Sequence, residues 1–364
     1  MKIRYQLLEV VLSALLLMCF GTVTGAQQIA EQDLPALSPP LHAALYPEVM
    51  CVGCIVPKWD HGYLFHVEID RDPAVVTMYD RDGKKVLEAR MEPADAVKVS
   101  IGSAGATRTG GIVAIGGGIM SDGSRQRFIV KSDPSGRTMQ SVRIGDFYPH
   151  QVCEAADGTV WVLGYKSNYQ YDSNYSDPSD ADKNVLRHYS FEKGVLGSFV
   201  SLDSISQARD ASLQIAHPGK SFLRCGKDRV SVLFWTAGQY IEVDAATEKL
   251  TRWTVAASSG VGGRASGFAL TEEGRSFVGF GNCCDQDKKR TTGLYELKTK
   301  SGSSIAALVP VEGTVTKYDP NEIAPDGTFF YLWGAEGNEL VVQREGNGWG
   351  LSWARVSASV RTAD

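Results

Sequence analysis

Apolar residues in this chain fall in short runs rather than along helical stripes. Thr159-Val160-Trp161-Val162-Leu163-Gly164, Val230-Ser231-Val232-Leu233-Phe234-Trp235, Ser276-Phe277-Val278-Gly279-Phe280 and Thr328-Phe329-Phe330-Tyr331-Leu332-Trp333 are rich in β-branched and aromatic residues, and each follows a tight-turn sequence. Helical periodicity is nearly absent, which argues against α/β folds. The turns themselves form two alternating series. The first is Asp60-His61-Gly62, Gly110-Gly111, Asp157-Gly158, Gly226-Lys227-Asp228, Glu273-Gly274 and Asp326-Gly327. The second is Asp82-Gly83, Ser135-Gly136, Lys193-Gly194, Thr247-Glu248, Ser301-Gly302 and Asn347-Gly348, spaced by 53, 58, 54, 54 and 46 residues. A period near fifty made of short strands predicts small sheets stacked around an axis, each covering its apolar faces with its neighbours.

The clearest unit spans 151–202 and holds four strands in order; the same order is expected at 222–256, 264–309 and 317–357. Units at about 47–92 and 95–144 are more degenerate but keep both turns. The expected fold is therefore all-β: a six-bladed β-propeller of four-stranded antiparallel blades. Seven blades, with 27–57 supplying an irregular one, is the alternative. Since every unit holds its own four strands, Ser352 to Val360 is expected as the outer strand of the last blade. The ring would then close by packing of blade faces, without a swapped strand.

Residues 1–26 read as a secretory signal: Lys2 and Arg4, then the apolar run Leu12 to Phe20, then Thr24-Gly25-Ala26. The run is shorter than the roughly 20 residues that span a bilayer. The expected layout is a signal over 1–26, an N-terminal extension over 27–40 and a single propeller domain over 41–364, secreted or periplasmic and not membrane-spanning after cleavage. The net charge of −5 and the lack of a basic stripe exclude nucleic acid as a partner. A monomer is expected.

Cys51, Cys54, Cys153, Cys225, Cys283 and Cys284 lie beyond the signal, and an even count in an exported chain points to disulfides. Cys153 and Cys225 fall in first strands of consecutive units, where a Cα separation of about 5.5 Å is attainable. Cys51-Val52-Gly53-Cys54 reads as a local or cross-blade disulfide rather than half of a zinc site. Adjacent Cys283 and Cys284 either bridge each other or pair elsewhere.

In an up-and-down blade the turns between strands one and two and between strands three and four lie on one face. Both turn series then mark the same face, and the longer gaps between paired turns in units three and five put insertions on the opposite one. Long loops on a rigid scaffold are where binding usually resides. The unit-three loop carries Tyr165, Tyr169, Tyr171 and Tyr175, residues suited to contact surfaces. Its acids Asp172, Asp177, Asp180 and Asp182 lack the glycine and terminal glutamate of an EF-hand. His150, Arg264 and Arg108 are further ligand-binding candidates around the channel. His150, His217, Asn321 and Glu322, with Asp319 nearby, are candidate metal ligands. No G-x-S-x-G elbow and no P-loop occur. No cofactor is predicted beyond a divalent Ca or Zn ion in the channel.

Pro149-His150-Gln151-Val152 through Ala156-Asp157-Gly158-Thr159-Val160-Trp161-Val162 resembles an NHL-type propeller repeat, and Tyr318-Asp319-Pro320-Asn321-Glu322-Ile323-Ala324-Pro325-Asp326-Gly327-Thr328 is a weaker match. The resemblance implies six blades. Related lactonases of the gluconolactonase type use a Glu, Asn and Asp metal shell drawn from several blades. Here Glu322, Asn321 and Asp319 have the right types but come from one unit. Two functional readings follow. One is a secreted binding or scaffold module that engages a protein or glycan surface through its long-loop face. The alternative is a metal-dependent, lactonase-like hydrolase or lyase with its site in the channel.

Overall fold

A computed structural model of the chain describes residues 34–46, 58–68, 74–166, 183–205, 220–256, 265–281, 290–318, 330–344 and 350–357. Pro35–Ser357 is one compact unit. Strand β1 is His42–Leu45. The first sheet holds β2 (Lys58–Asp60), β3 (Tyr63–Glu68), β4 (Val75–Tyr79) and β5 (Lys85–Arg90). The second holds β6 (Ala96–Ala106), β7 (Ile112–Met120), β8 (Arg125–Ser132) and β9 (Thr138–Arg143). The third holds β10 (Phe147–Glu154), β11 (Val160–Lys166), β12 (Asn184–Ser190) and β13 (Gly194–Ser201). Then come β14 (Ser221–Cys225), β15 (Arg229–Phe234), β16 (Gln239–Asp244) and β17 (Leu250–Ala256), followed by β18 (Ala265–Leu270), β19 (Ser276–Phe280), β20 (Arg290–Thr299) and β21 (Ile305–Pro310). Short β22 (Thr316–Tyr318) pairs with β20, and the last strands are β23 (Phe330–Glu336), β24 (Glu339–Arg344) and β25 (Gly350–Arg355).

The arrangement is propeller-like. The first three sheets are antiparallel meanders of four strands. The two four-stranded runs that follow join into a larger sheet, because β17 and β21 pair in parallel from Thr254↔Ile305 to Ala256↔Ala307. The first strands of successive meanders pack side by side: β2 on β6, β6 on β10, β10 on β14, β14 on β18, β18 on β23 and β23 back on β2. Apolar clusters fill the gaps between sheets. Trp161, Leu163, Leu223 and Phe234 pack together between the third sheet and the run that follows it, and Trp59, Tyr79, Val341 and Trp353 pack at the seam. The inner strands crowd at the axis: a Cβ at Gly334 would stand 2.5 Å from the Trp59 carbonyl oxygen.

The turns of the first five units match the two series read from the sequence. In the second series Gly83, Gly136, Gly194 and Gly302 take left-handed φ of 74–84°, and Glu248 takes 56° in the fourth run. A side chain there is strained. That of Glu248 reaches across to the third sheet, its Oε1 2.8 Å from His188 Nδ1, while His188 Nε2 lies 2.7 Å from Thr159 Oγ1 and the ring stacks on Trp161.

The closure differs from expectation. β1 pairs antiparallel with β25, from His42↔Trp353 to Leu45↔Gly350, and is the outer strand of the last sheet, whose order is β1-β25-β24-β23. A strand from the start of the chain therefore completes a sheet made at its end. The same segment stitches onto the first sheet: Tyr46 donates its hydroxyl to the Asp80 carbonyl (2.9 Å), and His42 Nε2 lies 2.9 Å from the Arg81 carbonyl. This also corrects the register of the last unit. Phe330–Glu336 is its first strand, not its second, and its first turn is Gly337-Asn338, which bonds the neighbouring first turn through Glu272 N–H to Gly337 O (2.8 Å). Asn347-Gly348, expected as its second turn, lies outside the described residues. The sheet expected wholly within 317–357 takes one of its four strands from His42–Leu45.

Candidate functional site

The two ends of the channel differ in chemistry. At the long-loop end, β10 runs in from residue 146 and β11 runs out toward residues 167–182. The register of these strands slips between Pro149 and Gln151, so His150 is a bulged residue. Register slips recur in β6 at Gly102 and in β18 at Ser266, each five residues before the Thr107 or Thr271 that opens its turn, as His150 is before Ala155. Bulges re-aim side chains, and here His150 is turned onto two tyrosines. Its ring stacks on Tyr165 (5.3 Å, 20°) and lies 4.9 Å from Tyr148; Tyr148 and Tyr165 stack at 5.5 Å. The Arg127 guanidinium, from β8 of the second sheet, covers the Tyr148 face at 4.8 Å. Burial, helped by the nearby Arg127 charge, pushes the His150 imidazole down to about 4, so it is neutral at physiological pH. Its buried Nε2 has no hydrogen-bond partner among the described residues.

At the tight-turn end the inner strands carry charge. Lys58 Nζ donates to the Val152 carbonyl (2.9 Å) and stands 3.4 Å from Asp60 Oδ2. Asp60 Oδ2 also accepts from the Ala106 N–H (3.2 Å), and its Oδ1 accepts from His61 Nδ1 (2.9 Å). Gly105 makes room for this: a Cβ there would stand 2.6 Å from Asp60 Oδ2. Burial alone would raise the Asp60 carboxyl, but the Lys58, His61 and Arg224 charges outweigh it and hold the group well below the usual carboxylate range. The Asp60 charge and hydrogen bond raise His61. Glu154 holds the same place at the end of β10 as Asp60 does in β2. It accepts from the Arg108 N–H (2.6 Å) and from Lys131 Nζ.

The sequence candidates divide accordingly. His150 and Tyr165 meet at the long-loop end. Arg108 lies at the other end, in the turn between β6 and β7, and its Nε donates to the Ala155 carbonyl (3.1 Å). Cys153 and Cys225 are joined, with a Cα separation of 5.6 Å, linking inner strands β10 and β14. Gln151 ties the same two strands, accepting from the Leu223 N–H (2.8 Å) and donating to the Ser221 carbonyl (2.8 Å). Tyr169, Tyr171, Tyr175, His217, Arg264, Asp319, Asn321, Glu322, Cys51, Cys54, Cys283 and Cys284 lie outside the described residues, as does the expected signal over 1–26.

Sequence reading missed Tyr148 and Arg127, and it missed the Lys58–Asp60–Arg224 group. The only signal was positional: Arg224 and Gly105 each stand one residue before the last paired residue of their strands. Among the described residues no three His, Cys, Asp or Glu side chains converge, and the His150 imidazole shares its site with a guanidinium.

No family model matches the chain, and no curated protein matches it. Solved structures do. The chain is similar to a protein of Bacteroides fragilis NCTC 9343 provisionally described as exported, at 9% identity and a TM-score of 0.50, over 90% of this chain and 98% of that one. It is also similar to a protein provisionally described as a gluconolactonase (12% identity, TM-score 0.44, 90% of this chain and 99% of that one). A third similarity is to Kuenenia stuttgartiensis hydrazine synthase (17%, 0.39, 90% and 78%). At these identities the likeness concerns fold alone.

Proposed function

We propose that this protein is an exported six-bladed propeller that binds a protein or glycan surface through the long-loop face beside its third sheet. Six inner strands in one closed circuit of contacts support the blade count. The Cys153–Cys225 bond supports an oxidising compartment. The observation that carries the binding reading is the stack of Tyr148, His150 and Tyr165 under Arg127. Aromatic faces with a cation and a neutral imidazole supply contact area and a few directional polar groups at small entropic cost. All four side chains are half-buried and so pre-arranged. They border the insertion that contributes Tyr169, Tyr171 and Tyr175.

The test is to probe an oligosaccharide array and a peptide array with the labelled chain, then with Tyr165→Ala, with residues 169–182 deleted, and with Arg108→Ala at the other end. Capture on one of the arrays, weakened at least about tenfold by Tyr165→Ala and by the deletion but not by Arg108→Ala, is the expected result. No capture on either array, or capture lost only with Arg108→Ala, overturns the reading.

A further inference from the structure

The tight-turn end of the channel holds more positive charge than its partners balance. Lys58 from β2 and Arg224 from β14 face one carboxylate, Asp60. That carboxylate is already spent: Oδ1 on His61, and Oδ2 on the Ala106 N–H and on Lys58. The other acids near this end are engaged as well. Glu154 takes Lys131 and the Arg108 N–H, and Glu336 Oε2 takes the Trp353 indole N–H (2.9 Å). Arg224 Nη1 donates to the carbonyl of Leu223 (2.9 Å), which leaves its buried Nε with no partner among the described residues. An unpaired buried donor on a charged group is destabilising unless a ligand satisfies it.

We propose that the tight-turn end of the axial channel binds the carboxylate of a small ligand between Lys58 and Arg224. The donors select the class. Lys58 and Arg224 present one ammonium and one guanidinium beside an Asp60 already taken up by His61 and the Ala106 N–H. A planar carboxylate matches the fork of a guanidinium, with Nε–H and an Nη–H donating side by side. Access is present: the Lys58 side chain is 15% exposed and Arg224 is half-buried. Burial lowers Lys58, with Asp60 restoring part of the loss, and burial brings Arg224 down to about 10 against the pull of Asp60. A bound anion raises both again. The site stands at the end of the channel away from His150, so it is independent of the proposed long-loop face.

The probe is trifluoroacetate, followed by fluorine NMR on the full chain at neutral pH, with acetate and then phosphate as competitors. The expected result is saturable broadening that acetate reverses at lower concentration than phosphate. Arg224→Gln and Lys58→Met each weaken it at least about tenfold, and Lys85→Gln on an exposed strand leaves it unchanged. Folding of each variant is checked by far-UV circular dichroism. If Arg224→Gln does not fold, Lys58→Met and the wild-type competition decide. Absence of saturable broadening in the wild type, phosphate outcompeting acetate, or unchanged binding in either folded channel variant overturns the proposal.

Discussion

The Cys153–Cys225 bond offers the sharpest quantitative test of how the inner strands are held. It joins strands separated by 72 positions in sequence. Closing a loop of that size in the unfolded chain removes entropy worth about 4 kcal/mol in the chain-entropy account. A domain's whole stability is about 5–15 kcal/mol, so the bond accounts for a large share of it. The Gln151 clamp between the same strands survives the loss of the bond, so the fold should persist in weakened form. Urea unfolding of wild type, Cys153→Ala, Cys225→Ala and the double variant would read the effect. Because either single substitution breaks the bond, both singles and the double should lose nearly the same stability, about 2–4 kcal/mol. Losses that simply add, each under about 1 kcal/mol, would refute the bond as a constraint and with it the side-by-side placement of β10 and β14.

Two other outcomes follow from the seam and from His150. Tyr46 is 1% exposed and ties β1 to the first sheet; Tyr46→Ala should cost about 3–5 kcal/mol in thermal or urea unfolding, while the adjacent Leu45→Ala, at a position 68% exposed, should stay within about 0.5 kcal/mol. Equal effects would argue against closure by β1. The His150 imidazole is lowered to about 4 in the folded chain against an unfolded value of 6.5, so the unfolded state binds more protons between those limits. Stability should therefore be full above pH 6.5 and fall by roughly 2–3 kcal/mol as pH drops toward 4. His150→Leu should flatten that limb in pH-dependent unfolding, leaving the Asp60 contribution, which is lost only below the ordinary carboxylate range.

Local chemistry explains what was readable in advance. Turn residues act over three or four positions, so both series in the first five units could be placed locally, mostly from Asp, Ser and Gly, with Thr247-Glu248 placed by the repeat. Strand composition marked β11, β15 and β19 for the same reason. The Cys153–Cys225 pairing was readable because equal strand position in consecutive repeats already implies neighbourhood in space. The last unit was not readable: nothing in the residues near 350 tells that their outer partner lies at His42, some three hundred positions earlier.

The sequence by itself determined an all-β chain of repeated small sheets, the turns that define them and one cross-sheet bond, because each of these depends on near neighbours or on the repeat. Only the tertiary structure decided the rest. It put β1 onto β25, turned His150 by a bulge onto Tyr148 and Tyr165, and brought Lys58, Asp60 and Arg224 to one axis. It also set Glu248 in a strained left-handed turn, where its carboxylate meets His188. β1 and β25 stand some three hundred positions apart, the His150 contacts depend on a bulge, and Lys58, Asp60 and Arg224, like Glu248 and His188, come from different sheets, so these side chains acquire their chemistry only when the sheets form and close around the axis.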